Sequence, residues 1–401
     1  MHYRPLINSK YLNFLWLVLI GLLIISPINR SFAQVKKFSI TYPNSSLVKE
    51  TFEGELFGKD TIRQGAYFCY FNNGTLWQKG FYKNNKKEGI FWIYNPDSSL
   101  ANRIEFRNDL KEGLLESYFQ DSIVQISAYY KNDTLHGSYK NFNSDGYLES
   151  EFNYVNGKKE GKAFYYFNLG RKSKEYFYQN DTINGKSTEF YDSGEINYLG
   201  TKYNDQWTDT LKAFFRNGTL QRKCFYSDGL LNGSYEAFQE NGQKYISTTY
   251  LNGKMNGHYQ EYFKDGSLFS EGAYLDGKRE GEWKSYYPNG CLHTHGLYRH
   301  DEFTGLWHVY NKNGTLKQQG NFIESNAIGA WQYYNENGIL YKVGQYINNK
   351  EDGIWKQFDE GGNITTYILY VKGVADGPAW IYDAKRKIWV KTIAHKNKLL
   401  K

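Results

Sequence analysis

Four of the chain's eight histidines, His293, His295, His300 and His308, fall within sixteen residues. Imidazole is a common ligand for zinc and copper, so such a run is a candidate metal site wherever the backbone brings three rings together. Reflecting the chain about a turn near residues 301–302 sets His295 opposite His308, with His293 two residues along on the same face. His293, His295 and His308 are therefore the metal candidates. Against them, the reflection places them on a solvated face with no carboxylate among them, where isolated histidines are commonplace. The expectation is a chain without a cofactor.

A second constellation is aromatic. Trp283, Trp307, Trp331 and Trp355 follow one another at 24-residue intervals, with Tyr235 and Tyr259 before them in the same series. Two antiparallel strands per interval would set such rings about 9.6 Å apart, a ladder suited to stacking on an extended peptide or glycan. Earlier members of the series are Ala163, Ser187 and Leu211. That range of sizes argues for an exposed ladder, the alternative being that the rings pack on neighbouring repeats. Covalent chemistry finds little support. The chain has no Gly-x-Ser-x-Gly elbow, phosphate-binding loop, His-Glu-x-x-His or EF-hand spacing. Recurrent Lys-Glu-Gly triplets (87–89, 111–113, 159–161) put carboxylates one repeat apart, too far for a glycosidase pair. Cys69, Cys224 and Cys291 are spaced too widely to bridge. A non-enzymatic protein is expected.

The elements that must carry these residues come from a strict period. Glycine recurs every 24 residues at 65, 89, 113, 137, 161 and 185, then Asp209, then 233, 257, 281, 305, 329, 353 and 377, and five residues after each anchor stands an aromatic, from Tyr70 to Tyr382. Counting the anchor as position 0, glycine is frequent at position 9, within turn pairs such as Asn217-Gly218 and Asn313-Gly314. An aromatic closes position 17, as at Tyr82, Tyr154 and Tyr298, and Asn-Gly-Lys segments such as 156–158 turn the chain again. The unit reads as strand, turn, strand, turn, with the anchor glycine opening a strand of about six residues. Positions 11 and 17 share a face and positions 12 and 14 the other. Positions 2 and 5 demand either a bulge or opposite faces. In the sixth repeat the ring slips to Tyr203, with Lys202 in its place, which reads as a local bulge and weak point.

The fold expected is all-β: an elongated, coiled single-layer antiparallel sheet of tandem 24-residue hairpins. Fourteen repeats span 65–400, an N-terminal cap with a decayed half-repeat spans 34–64, and a basic C-terminal cap spans 384–401. Composition agrees, with 38 Tyr, 26 Phe and 10 Trp beside 39 Gly and 6 Pro. So aromatic-rich a chain is neither disordered nor collagenous. Residues 1–33 read as a secretory signal, with Arg4 and Lys10 before an apolar run from Phe14 to Ile25 and Ser31-Phe32-Ala33 at the cleavage site. An exported, monomeric protein is expected, periplasmic or at the cell surface. Its body is nearly neutral and its end basic, which excludes nucleic acid and leaves a phosphate-bearing lipid contact open to the tail.

Segments such as Tyr274-Leu-Asp-Gly-Lys-Arg-Glu-Gly-Glu-Trp283, continued by Tyr286-Tyr287-Pro288-Asn289-Gly290, resemble MORN repeats. Their spacing is similar to the bacterial variant found in the YwqK-type antitoxin family. The resemblance covers 65–400 and implies a non-enzymatic repeat scaffold. Its partner would be a protein or an extended polymer in the cell envelope, held along an aromatic groove. The alternatives it implies are an antitoxin or immunity role towards a toxin, and a lipid- or glycan-binding module.

Overall fold

A computed structural model describes residues 34–120 and 122–400, so residues 1–33, where a secretory signal is expected, lie outside the described residues. The chain forms one antiparallel sheet of 33 strands. Sheet order follows sequence order, each inner strand pairing with the one before and the one after it when a broken strand is counted as one. Strand β1 (Lys36–Thr41) pairs with β2 (Val48–Phe57), and β2 with β3 (Asp60–Tyr70). Fourteen hairpins follow, from β3 with β4 (Leu76–Lys83) to β31 (Val374–Asp383) with β32 (Ile388–His395), and β33 (Lys398–Leu400) forms the far edge. Two lead strands are each broken in two, as β11 (Lys158–Lys159) with β12 (Gly161–Tyr166) and β14 (Thr182–Ile183) with β15 (Gly185–Phe190). A single 3-10 turn at Asn168–Gly170 is the one helical element among the described residues.

The hairpin of β25 (Glu302–Tyr310) and β26 (Leu316–Ile323) represents the unit. Its lead strand begins three residues before the anchor, so the glycine lies within the strand and does not open it. Gly305 has φ 64°. The pairs His295↔His308 and Leu297↔Thr304 leave residues 305–307 facing the single residue Gly296 of β24 (Leu292–Arg299), which is a β-bulge. A left-handed bulge residue explains why glycine recurs there. Asp209, the one exception, adopts φ 59° and its Oδ1 accepts a hydrogen bond of 2.8 Å from Thr210 N. The bulge sits at the anchor, and positions 2 and 5 lie on opposite faces. His308 stacks on Tyr310 at 6.2 Å on one side, while Trp331 and Tyr333 stack at 6.3 Å on the other.

The two turns differ. At the Asn313-Gly314 end, Asn311 N donates to Thr315 O at 2.8 Å and Gly314 N to Asn311 O at 2.9 Å, with positive φ only at Gly314. That is a type I turn with a glycine bulge, not the two-residue turn that Asn-Gly most often forms. Two-residue turns with both φ positive stand at the other edge, as at Asn252-Gly253 (50° and 81°) and Asn348-Asn349 (48° and 64°). Here successive repeats clasp each other. Lys87 N donates to Asp109 Oδ1 at 2.7 Å, and Glu88 Oε2 accepts from Asn108 N at 3.1 Å. Glu112 and Glu160 bind Asn132 N and Asn180 N in the same way, so the glutamates of the Lys-Glu-Gly triplets staple one turn to the next. The lysines of the triplets lie over rings, Lys87 over Phe91 and Phe106 at 5.2 and 4.9 Å.

The sixth repeat does not slip. Lys202 pairs with Trp207 and Tyr203 with Gln206 around an ordinary two-residue turn, and Tyr203 is exposed. Lys202 stands where other repeats have a ring, its ammonium 4.9 Å from the centre of Tyr176 and 4.6 Å from that of Trp207. A cation over two rings substitutes for the missing aromatic. All three cysteines are free, Cys69 and Cys224 being buried, and burial raises the Cys224 thiol above its ordinary range.

Candidate binding faces of the sheet

One face of the sheet carries the core. Position 2 of each repeat pairs with position 15 of the same repeat, and on its other side meets position 15 of the repeat before, giving one continuous row. Trp331 pairs with Gly344 and also with Gly320, and Tyr259 with Gly272 and with Thr248. Sizes along the row compensate. Large rings at Phe91, Trp283, Trp307, Trp331 and Trp355 lie on Gly80, Gly272, Gly296, Gly320 and Gly344, where a Cβ would collide with the ring. Where position 2 shrinks to Ala163 or Ser187, position 15 of the preceding repeat grows to Phe152 or Tyr176. The row keeps a near-constant volume, as close packing requires.

This overturns the exposed ladder. Trp283, Trp307, Trp331, Trp355 and Tyr259 are buried, Trp355 at 1% exposure, and Tyr235 is half-buried against Tyr250 at 5.4 Å. The size range at position 2 reflects compensation eleven residues upstream, not exposure. Rings at position 17 close edge-on against the indoles, Tyr298 on Trp307 at 5.2 Å and Tyr346 on Trp355 at 5.2 Å. Trp283 Nε1 donates to Ala273 O at 3.1 Å and Trp307 Nε1 to Leu297 O at 3.0 Å, whereas the Nε1 groups of Trp331 and Trp355 are buried without a partner.

The histidines do not make a metal site. His295 does face His308, with stacked rings at 5.8 Å, but His293 turns to Tyr287 at 4.5 Å, and no group of three potential ligands converges among the described residues. A carboxylate does join them. His295 Nε2 lies 2.6 Å from Glu282 Oε1, and this bond, with Lys284 nearby, holds the Glu282 carboxyl below its ordinary range. The reflection missed Glu282 because it considered only the hairpin ahead of the histidines and not the strand behind them.

The opposite face carries rings that do meet solvent. Phe81, Tyr129, Phe177 and Phe225 all occupy position 16 of alternate repeats, at 48-residue intervals, and are 39–47% exposed. Between them stand Glu105, Asn153 and Thr201. The rings lean over the next anchor: a Cβ on Gly137, Gly185 or Gly233 would lie 3.2–3.4 Å from Tyr129, Phe177 or Phe225. Four strands separate successive rings, about 19 Å along the sheet. The sequence carried the signal as a doubled period, hidden beneath the 24-residue one.

A family model for the MORN repeat variant matches residues 63–84, 279–300, 328–348 and 351–372, each falling on hairpins of this sheet. The chain contains MORN repeats of this variant type. No curated protein matches it. Among solved structures, this MORN-repeat chain is similar to the crystal structure of TcdB2-TccC3 over 84% of its own length and 23% of that chain, at 9% identity and a TM-score of 0.17. For the crystal structure of TcdB2-TccC3-Cdc42 the figures are 91% and 26%, at 10% identity and 0.14. The chain spans about a quarter of those chains.

The basic end of the MORN-repeat sheet is structured. Residues 388–395 form β32 in register with β31, and Asp383 Oδ1 accepts from the backbone of Lys385 and Arg386 in the turn between them. Lys391 Nζ lies 6.0 Å from the Trp380 ring centre. Among the described residues no helix is long and apolar enough to cross a membrane.

Proposed function

We propose that the protein is an exported, non-enzymatic scaffold that holds an elongated partner, protein or polymer, against the outer face of its sheet. The observation that carries this reading is the exposure of Phe81, Tyr129, Phe177 and Phe225 at one 48-residue spacing on the face opposite the core. Solvent-exposed aromatics repeated at one spacing give an extended ligand several equivalent contacts, and avidity then rises without any one contact being strong. Export is the reading of residues 1–33, and the fold of a repeat scaffold supports binding over chemistry.

The test is capture from envelope fractions by the wild-type chain and by a variant in which Phe81, Tyr129, Phe177 and Phe225 are all serine. Loss of the captured species from a variant that melts like wild type supports the proposal. Equal capture by both overturns it. A single stoichiometric toxin among the captured species would give the scaffold an immunity role.

A further inference from the structure

The row at positions 4 and 13 runs beside the core row on the inner face, and its occupants decide whether the rings below are covered. In the twelfth repeat position 4 is Tyr333. Its ring packs 6.3 Å from Trp331 and 6.1 Å from Trp355, and its hydroxyl lies 3.1 Å from that of Tyr346 at position 17. In the fifth repeat position 4 is Tyr165, packed 5.4 Å from Phe152 with its hydroxyl 2.8 Å from that of Tyr178, again at position 17. The same arrangement thus occurs twice: a phenol laid among the core rings and tied by its hydroxyl to a neighbouring tyrosine.

In the tenth repeat position 4 is Ser285, paired with Ser270 on one side and Thr294 on the other. No phenol lies here; the rings beside this place are Phe269 and the His293 imidazole, whose Nδ1 is 3.5 Å from the Ser285 hydroxyl. A hollow of about 320 Å³ opens there, walled by Tyr259, Trp283, Trp307 and Tyr298, within the size range of small-ligand sites. Tyr298 is the position-17 residue. Its hydroxyl accepts from Arg279 Nη1 at 2.7 Å, which leaves its own O–H to donate to another oxygen.

The geometry points to a binding site for a tyrosine side chain of a partner polypeptide, whose phenol takes in this hollow the place that Tyr165 and Tyr333 take in their own repeats. The site is independent of the outer-face rings.

The test titrates N-acetyl-tyrosinamide into the full chain by calorimetry, with N-acetyl-leucinamide as control. A dissociation constant on the order of 1 mM is expected for the tyrosine amide, as befits so small a ligand, and none measurable for the leucine amide. Ser285→Tyr, which supplies the missing ring from within, should weaken binding at least tenfold while the chain still melts cooperatively. Tyr298→Phe keeps the hollow and removes the hydroxyl, and should weaken binding several-fold, so the test stands if Ser285→Tyr does not fold. No binding by wild type, equal binding of the leucine amide, or undiminished binding by either folded variant overturns the proposal.

Discussion

Trp355 lies flat on Gly344, so closely that the glycine has no room for even a methyl group. The indole is buried by this contact together with Tyr346, Tyr370 and the Lys342 ammonium, which lies 4.3 Å from its ring centre. Gly344→Ala should therefore destabilise the chain by about 1–3 kcal/mol, as overpacking does. Adding Trp355→Leu should restore part of the loss, because the equivalent pair Ile104–Leu115 accommodates a branched residue opposite leucine. A double-mutant cycle by thermal denaturation should return a coupling on the order of 1 kcal/mol. Simple additivity would refute the compensation.

The indole N–H groups supply a finer test. Trp307→Ala should cost about 3–5 kcal/mol, as expected for a buried ring. Trp307→Phe removes a hydrogen bond to Leu297 O, whereas Trp331→Phe removes a buried donor with no partner. The first should be more destabilising than the second by about 1 kcal/mol, read from denaturant midpoints.

Rings on the other face should behave in the opposite way. Phe177→Ser and Phe225→Ser should each cost about 1 kcal/mol or less, well under Trp307→Ala, since these side chains are 41% and 39% exposed. Matching losses to those at Trp307 would place these rings in the core.

Acid should weaken the region around the tenth and eleventh repeats. Burial holds the His293 and His308 imidazoles below their ordinary value, with Lys317 adding to the effect at His293 and His295 at His308. Unfolded imidazoles titrate near about 6.5, so between that value and the lowered native ones the unfolded chain binds more protons. Stability should therefore fall as pH drops through the ordinary imidazole range, and level off below the native values. Melting temperatures from about pH 8 to pH 5 should fall less steeply in His308→Gln, which copies Gln332 at the same position one repeat on.

Anchor glycines should tolerate one substitution better than others. Gly305 has a left-handed backbone, which costs most L-residues about 1–2 kcal/mol, and Asp209 shows how an aspartate lives there. Gly305→Asp should melt close to wild type and Gly305→Val well below it.

The period of 24, the hairpins and the ring at position 5 were legible in the sequence because each is a local, repeated signal. The single sheet followed from them. What escaped was whatever depends on two strands at once. Gly344 and Trp355 are eleven residues apart in sequence, and only the register makes them partners, so position 2 read alone suggested exposure. The bulge at Gly305 was invisible for a similar reason: a glycine that starts a strand and one that kinks it look alike in a single chain. The phenol-sized hollow at Ser285 became apparent only beside Tyr165 and Tyr333. Phe81, Tyr129, Phe177 and Phe225 were readable in principle, at twice the period that drew the eye.

Compensation between positions 2 and 15 also governs how such a gene can change length. A ring touches glycines on both sides of a repeat boundary, so the packing unit and the 24-residue sequence unit are out of step. Unequal crossing-over that deletes the repeat carrying Ser187 would set Tyr176 against Leu211, two large side chains where the row has one large and one small. Within the run from Gly272 to Trp355 every junction is glycine against tryptophan, and repeats there can be lost or gained without a misfit. The stretch of identical pairs is thus the part of the molecule through which recombination can lengthen or shorten the sheet.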